Sequence, residues 1–177
     1  IIREEGPQSH HVKAGTPTMG GVFFIPTAIA MAGFLGLFSG WSTASWLQFS
    51  GISALTLAYG WLGWLDDWQV LQRKSNKGIS PKTKLVFPFG FGIIFALWLF
   101  LTQPGNLTNL LMPGGWLLPL GILFWPLVSW VLATASNATN LTDGLDGLAG
   151  GTSAIAFLAM GAIVAPTNPA LGLFCAA

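Results

Sequence analysis

Three short stretches hold most of the side chains in this sequence that are able to do chemistry. In Asn137-Ala138-Thr139-Asn140-Leu141-Thr142-Asp143-Gly144-Leu145-Asp146-Gly147-Leu148-Ala149-Gly150-Gly151, Asp143 and Asp146 stand three apart, and Asn140 stands three before Asp143. On a helical turn these three share a face. Carboxylate and amide oxygens on one face suit a hard cation such as Mg2+, which keeps several waters and binds substrate phosphates besides. A pair of helix caps on a glycine-rich packing face is the plainer reading, but caps leave two acids in a loop that has no basic partner.

The second stretch, Asp66-Asp67, directly follows an apolar run. Two carboxylates at the edge of a low-dielectric region repel, which raises one pKa unless a cation lies beside them. That points to a proton-transfer or metal-binding task. Neighbours on an ideal helix point about 100° apart, so joint chelation requires the helix to end or distort here. Asp-Asp-x-x-Asp, the prenyl-diphosphate pattern, fails at Val70. The alternative is two acids capping the membrane edge and pairing with Arg73 or Lys74. The third stretch runs from His10, His11 and Lys13 into Gly15-Thr16-Pro17-Thr18-Met19-Gly20-Gly21. It matches neither a P-loop nor a dinucleotide-binding glycine turn. Its lysine, imidazoles, hydroxyls and backbone amides at a helix start suit a phosphate; otherwise it is a turn flanked by interfacial cations. After Asp67, Ser80 and Pro81 read as N-cap and first residue of a helix. Lys82 and Lys84 then sit near headgroups, as topology-setting charges or as ligand contacts. Together the stretches suit phosphoryl transfer from a water-soluble phosphate donor to a membrane-embedded acceptor, where positioning and charge neutralisation supply most of the catalysis.

The elements that position these residues are membrane helices. Of 177 residues, 53% are hydrophobic and 7% charged, against roughly 25% charged in soluble domains. So few charges cannot solvate a globule, and the outer surface is expected to face lipid. The net charge of +1 gives no reason to expect nucleic acid. The lone cysteine, Cys175, excludes a disulfide within the chain and a cysteine-built zinc site; it reads as a small apolar helix residue.

Five apolar runs are long enough to cross a membrane: Val22 to Ser39, Trp46 to Leu65, Val86 to Thr102, Trp116 to Ala135 and Leu148 to Ala165, with a sixth starting at Ala170. None alternates as a barrel strand must. The expected class is therefore an all-α, polytopic integral membrane protein forming a single membrane domain. Pro26, Pro88, Pro119 and Pro126 fall inside runs, where kinks are expected. Connections 40–45, 103–115 and 166–169 carry no charge, whereas 1–21, 66–85 and 136–147 carry every Lys, Arg, Asp and Glu. Because Lys and Arg mark the cytoplasmic side, the charged set is expected there and the uncharged set outside. None of the five runs contains an ionisable Asp, Glu, Lys, Arg or His, which argues against an ion-coupled transporter.

On His10-His11-x-Lys13-x-Gly15-Thr16-Pro17-Thr18-Met19-Gly20-Gly21, on Asp66-Asp67 and on Asn140-Leu141-Thr142-Asp143-Gly144-Leu145-Asp146-Gly147-Leu148, the sequence resembles the phospho-N-acetylmuramoyl-pentapeptide transferases. These sit within a superfamily that moves hexosamine 1-phosphates onto polyprenyl phosphate. The resemblance implies Mg2+-dependent transfer of phospho-N-acetylmuramoyl-pentapeptide from UDP to undecaprenyl phosphate, releasing UMP, on the cytoplasmic face of the bacterial inner membrane, in a homodimer. It implies that Asp66 is the base for the lipid phosphate and that Asp67 assists in phosphate or metal binding. Lys13, Thr18, Asn140, Asp143 and Asp146 would bind the nucleotide sugar, and Asp66, Asp67 and Asp143 would lie near the metal. The resemblance covers a family member from after its first span into its seventh. A later acidic motif carrying a magnesium aspartate and a His-rich loop have no counterpart here, so a fragment of the transferase, inactive alone, is one alternative. Another polyprenyl-phosphate sugar-1-phosphate transferase is the other.

Overall fold

The computed structural model describes residues 19–73, 78–102, 108–143 and 147–176. Six helices run in order: α1 (Gly21–Phe38), α2 (Thr43–Arg73), α3 (Pro81–Thr102), α4 (Phe124–Thr142), α5 (Leu148–Val164) and α6 (Pro169–Ala176). A short antiparallel hairpin, β1 (Asn109–Leu111) and β2 (Leu117–Pro119), and a 3-10 turn (Gly121–Leu123) separate α3 from α4. The chain is an all-α, polytopic membrane protein. By length and apolar composition α1, α3 and the continuous unit Gly121–Thr142 can each cross a bilayer. Helix α5 is apolar but, at 17 residues, shorter. The run from Trp46 lies in the longest helix, whose polar Gln48, Ser50, Ser53 and Thr56 dilute its hydropathy.

Local chemistry sets the helix ends. Helix α1 closes in a Schellman motif: Gly40 takes φ +62° and the Trp41 amide returns to the Gly36 carbonyl at 3.4 Å. Ser42 caps α2 through its hydroxyl, 3.2 Å from the Ser45 amide. Ser80 does the same for Thr83 at 3.2 Å, with Pro81 the first residue of α3, as the sequence predicts. Asn168 accepts the Leu171 amide and opens α6.

Two expectations are corrected. The run Trp116 to Ala135 is not one helix, because its first residues form β2. Met112-Pro113-Gly114-Gly115 makes a turn in which the Gly115 amide bonds to Met112 O at 3.0 Å, with φ of +99° and +84° at the glycines. Proline at the second corner and a left-handed glycine at the third give the geometry of a type II turn. The helix then extends through Thr142, so that 136–142 is helical rather than a loop. Pro119 ends a strand and Pro126 falls in the first turn of α4, which leaves Pro26 and Pro88 as the prolines in helix interiors. The second correction is in α2, which neither ends nor breaks at Asp66-Asp67 but continues to Arg73.

Close helix contact depends on small residues, which let backbones approach. On α3, Pro88, Gly92 and Ala96 are buried at four-residue spacing; on α4, Ser129 and Ala133 are. A Cβ on Gly92 would sit 2.7 Å from Ser129 Cα. The antiparallel register this contact fixes carries four residues at a time toward Lys84 on α3 and Asn137 on α4.

Candidate functional site

The start of α1, the end of α2, the start of α3 and the end of α4 converge at one end of the bundle. Asp66, in the last turns of α2, accepts the Ile79 amide on Oδ1 at 2.8 Å and the Lys84 ammonium on Oδ2 at 2.7 Å. The bland expectation that the acids pair with Arg73 or Lys74 is corrected for Asp66: its partner is Lys84, whereas Arg73 donates to Gly78 O at 3.5 Å. Lys74 lies outside the described residues. Gly78 is required by this approach, since a Cβ there would run into the Asp66 carboxylate.

Asp67, about 100° round the same helix, meets different surroundings. Burial raises its proton affinity above the ordinary carboxylate value, and the negative charges of Asp66 and Asp143 add to the rise. The Met19 backbone N–H, donating to it, and the Lys84 ammonium work the other way. Met19 holds φ +66°, a region non-glycine residues rarely occupy, at the entry to α1. Two adjacent acids thus differ: one is neutralised by an ion pair, and the other is a carboxylate of raised proton affinity.

Asn140 lies in the last turn of α4, and Asp143 is its C-cap, with its amide on Thr139 O at 3.2 Å. Asp66, Lys84, Ser136, Asn137 and Asn140 line a common cavity of about 80 Å³ between α2, α3 and α4, room for a few waters. Of the residues singled out in the sequence, Asp66 and Asn140 therefore share a cavity, and Asp67 and Asp143 interact electrostatically. Lys13, Thr18 and Asp146, with His10 and His11, lie outside the described residues.

Sequence reasoning read Lys84 as a topology-setting charge or ligand contact and not as the partner of Asp66, quoted Asn137 in its stretch without giving it a role, and gave none to Gly78. Nothing along the chain ties Lys84 to an acid 18 residues earlier; only the fold does. Among the described residues no three His, Cys, Asp or Glu side chains gather into a metal cage. Mg2+ does not require one, because it is commonly held by one or two carboxylates with substrate phosphates and water. The donors here are oxygens, and negative charge at Asp67 and Asp143 is in excess, so the residues present fit that ion.

The profile described as glycosyl transferase family 4 matches residues 49–177. A signature described as phospho-N-acetylmuramoyl-pentapeptide-transferase signature 1 matches residues 13–25. A phospho-N-acetylmuramoyl-pentapeptide-transferase of Nostoc punctiforme is 58% identical over 178 residues, covering 100% of this chain and 47% of the relative. Relatives of the same name from Trichormus variabilis and Gloeothece citriformis are 60% and 54% identical, over 100% and 99% of this chain and 47% and 46% of their own lengths. The chain spans about half the length of these relatives.

Proposed function

The chain belongs to glycosyl transferase family 4, and from that premise we propose that it forms part of an enzyme transferring phospho-N-acetylmuramoyl-pentapeptide from UDP to undecaprenyl phosphate, with UMP released. The observation that carries this reading is the meeting of Asp66, Asp67, Lys84, Asn140 and Asp143 at one end of an otherwise apolar bundle. A lipid acceptor can enter from the hydrocarbon side and a nucleotide from water only where those two media meet. The charged end faces the cytoplasm, because all seven Lys and Arg fall in the segments on that side.

The residues divide the work by their environments. Lys84, held by Asp66, presents positive charge to the phosphate of the lipid. Asp67, with its raised proton affinity, takes the proton from that phosphate, since a base is most effective when its pKa lies close to the working pH. A phosphate oxygen then attacks the phosphorus next to the sugar, and the bond from that phosphorus to the UMP oxygen breaks. Asp66 is the weaker candidate for base or nucleophile, because both its oxygens already accept hydrogen bonds. Asp143 and Asn140 bind the nucleotide sugar, a role the family resemblance also assigns to Asp146, Lys13 and Thr18. Asp143 would also supply an oxygen to Mg2+, which would neutralise diphosphate charge when bound.

The test is UMP release in detergent from UDP-N-acetylmuramoyl-pentapeptide, undecaprenyl phosphate and Mg2+. It is run on this chain and on a chimera completed with the remaining half of the Nostoc punctiforme relative. Release from the chimera that requires lipid and metal and is lost in Asp67→Asn is the expected result. A folded chimera without release overturns the reading, and preference for UDP-N-acetylglucosamine as donor replaces it with another sugar-1-phosphate transferase.

A further inference from the structure

Pro88 lies within α3 and is fully buried. Proline has no N–H, so the carbonyl four residues earlier loses its helical donor. That carbonyl belongs to Lys84, the residue whose ammonium holds Asp66. The missing donor is replaced from another helix: Asn137 Nδ2 reaches Lys84 O at 3.3 Å and, with its other hydrogen, Ala133 O of its own helix at 2.9 Å. Tyr59 of α2 donates to Pro88 O at 3.1 Å. Three helices are thereby fastened at one turn of α3, directly beside the Asp66–Lys84 pair and the cavity it lines.

We infer that Asn137 is a positioning residue: its amide substitutes for the backbone N–H that Pro88 lacks, and so fixes the turn from which Lys84 reaches Asp66. A gap in a helix ladder leaves that turn free to pivot, and a pivot at Lys84 swings a long side chain away from its partner. The helix register makes the substitution possible, since Gly92 against Ser129 brings Pro88 level with Ala133 and Lys84 level with Asn137. The bonds of the Asn137 amide go to the Lys84 and Ala133 carbonyls, so it acts on Asp66 through Lys84. The importance of this for turnover rests on the proposed transferase reading, but the structural claim does not.

The inference predicts a specific rescue. Asn137→Leu removes both donors while keeping the volume; Pro88→Ala restores the N–H at position 88. Labelling of Lys84 by an amine-reactive ester, followed by mass spectrometry with exposed Lys82 as internal reference, reads the Asp66–Lys84 pair on this chain without requiring activity. Asn137→Leu should raise Lys84 labelling about fivefold, the scale of one lost hydrogen bond. Pro88→Ala alone should leave it near the parent value, and the double variant should return it to within about twofold of the parent. In the completed enzyme kcat should follow the same order while the nucleotide KM stays constant. Unchanged labelling in Asn137→Leu, or a double variant worse than either single one, overturns the inference. If Asn137→Leu does not fold, the comparison of Asn137→Ser in the two backgrounds decides it by the same criterion. Rescue of labelling in an enzyme with no UMP release would leave the positioning role intact and count against the transferase reading alone.

Discussion

The two ends of the bundle are held by different physics. At the charged end the helices are joined by polar bonds to side chains and open carbonyls: Ile79 and Lys84 to Asp66, Asn137 to Lys84, Tyr59 to Pro88. At the other end they are joined by shape. Trp41 folds onto Gly36, where a Cβ would lie 2.6 Å from the ring, and Trp98 onto Gly51. Trp41, Trp46, Phe49 and Phe174 form a chain of ring contacts with centroids 5.1 to 6.1 Å apart. A polar bond also crosses there, from Asn168 to Gln48 at 2.6 Å. The aromatic end supplies rigidity with interactions that have no pH dependence, which leaves the polar end to carry groups whose charge matters.

The sharpest way to break the contrast is Lys84→Met. At the polar end this strands the Asp66 carboxylate in a partly buried place, and transfer by the completed enzyme should fall by more than about a hundredfold. It also removes the cation that lowers the proton affinity of Asp67. With Asp67 as the proposed base, activity should rise as pH rises through the Asp67 pKa, which burial holds above the ordinary carboxylate value. In Lys84→Met this acid limb should move to still higher pH, as a pH profile of residual UMP release will record. An unmoved limb would separate Asp67 from the titration.

Paired glycine substitutions compare the two ends more directly. Gly78→Ala pushes a methyl group into the Asp66 carboxylate and should lower kcat about tenfold, a loss of about 1.4 kcal/mol in transition-state binding. Gly36→Ala pushes one into the Trp41 ring and should cost about 1–3 kcal/mol of stability as overpacking, read as a lower melting temperature, with the pH profile unchanged. Equal effects on kcat would dissolve the distinction. The smallest effect is expected from Gln48→Leu, which removes the polar bond from Asn168: about 0.6 kcal/mol by the measure of interhelical hydrogen bonds in membranes, seen in thermal unfolding and not in turnover.

How much of this was legible depends on the distance over which each feature is encoded. Helices α1, α3, α5 and α6 follow from uninterrupted apolar runs, and the entry to α3, ahead of its run, is marked by the Ser80 cap and Pro81 that the sequence offers. The hairpin was missed because a span-length window averages its leucines and tryptophan with the helix that follows. Pro113-Gly114-Gly115, with Pro119 and Gly121 behind it, was the local signal against one continuous helix. The continuation of α2 past Leu65 was hidden by reading the loss of hydropathy as the loss of helix. Trp64 stacks on Trp68 across Asp66 and Asp67, a contact at helical spacing that the change of polarity does not interrupt. The acids themselves stand out by type, but their division of labour does not. It depends on a lysine and an asparagine that are brought in by tertiary register and separated from each other by 53 residues.

The unbroken course of α2 makes the helix a ruler. At about 1.5 Å per residue, Asp66 stands roughly 35 Å along the axis from Thr43, slightly more than the roughly 30 Å of a bilayer's hydrocarbon. A flexible segment here would let the two acids wander in depth; a helix that continues for two more turns gives them a fixed elevation. That elevation is the stratum where the phosphate of an anchored lipid lies, so the acceptor of the proposed transfer would be met at its own level.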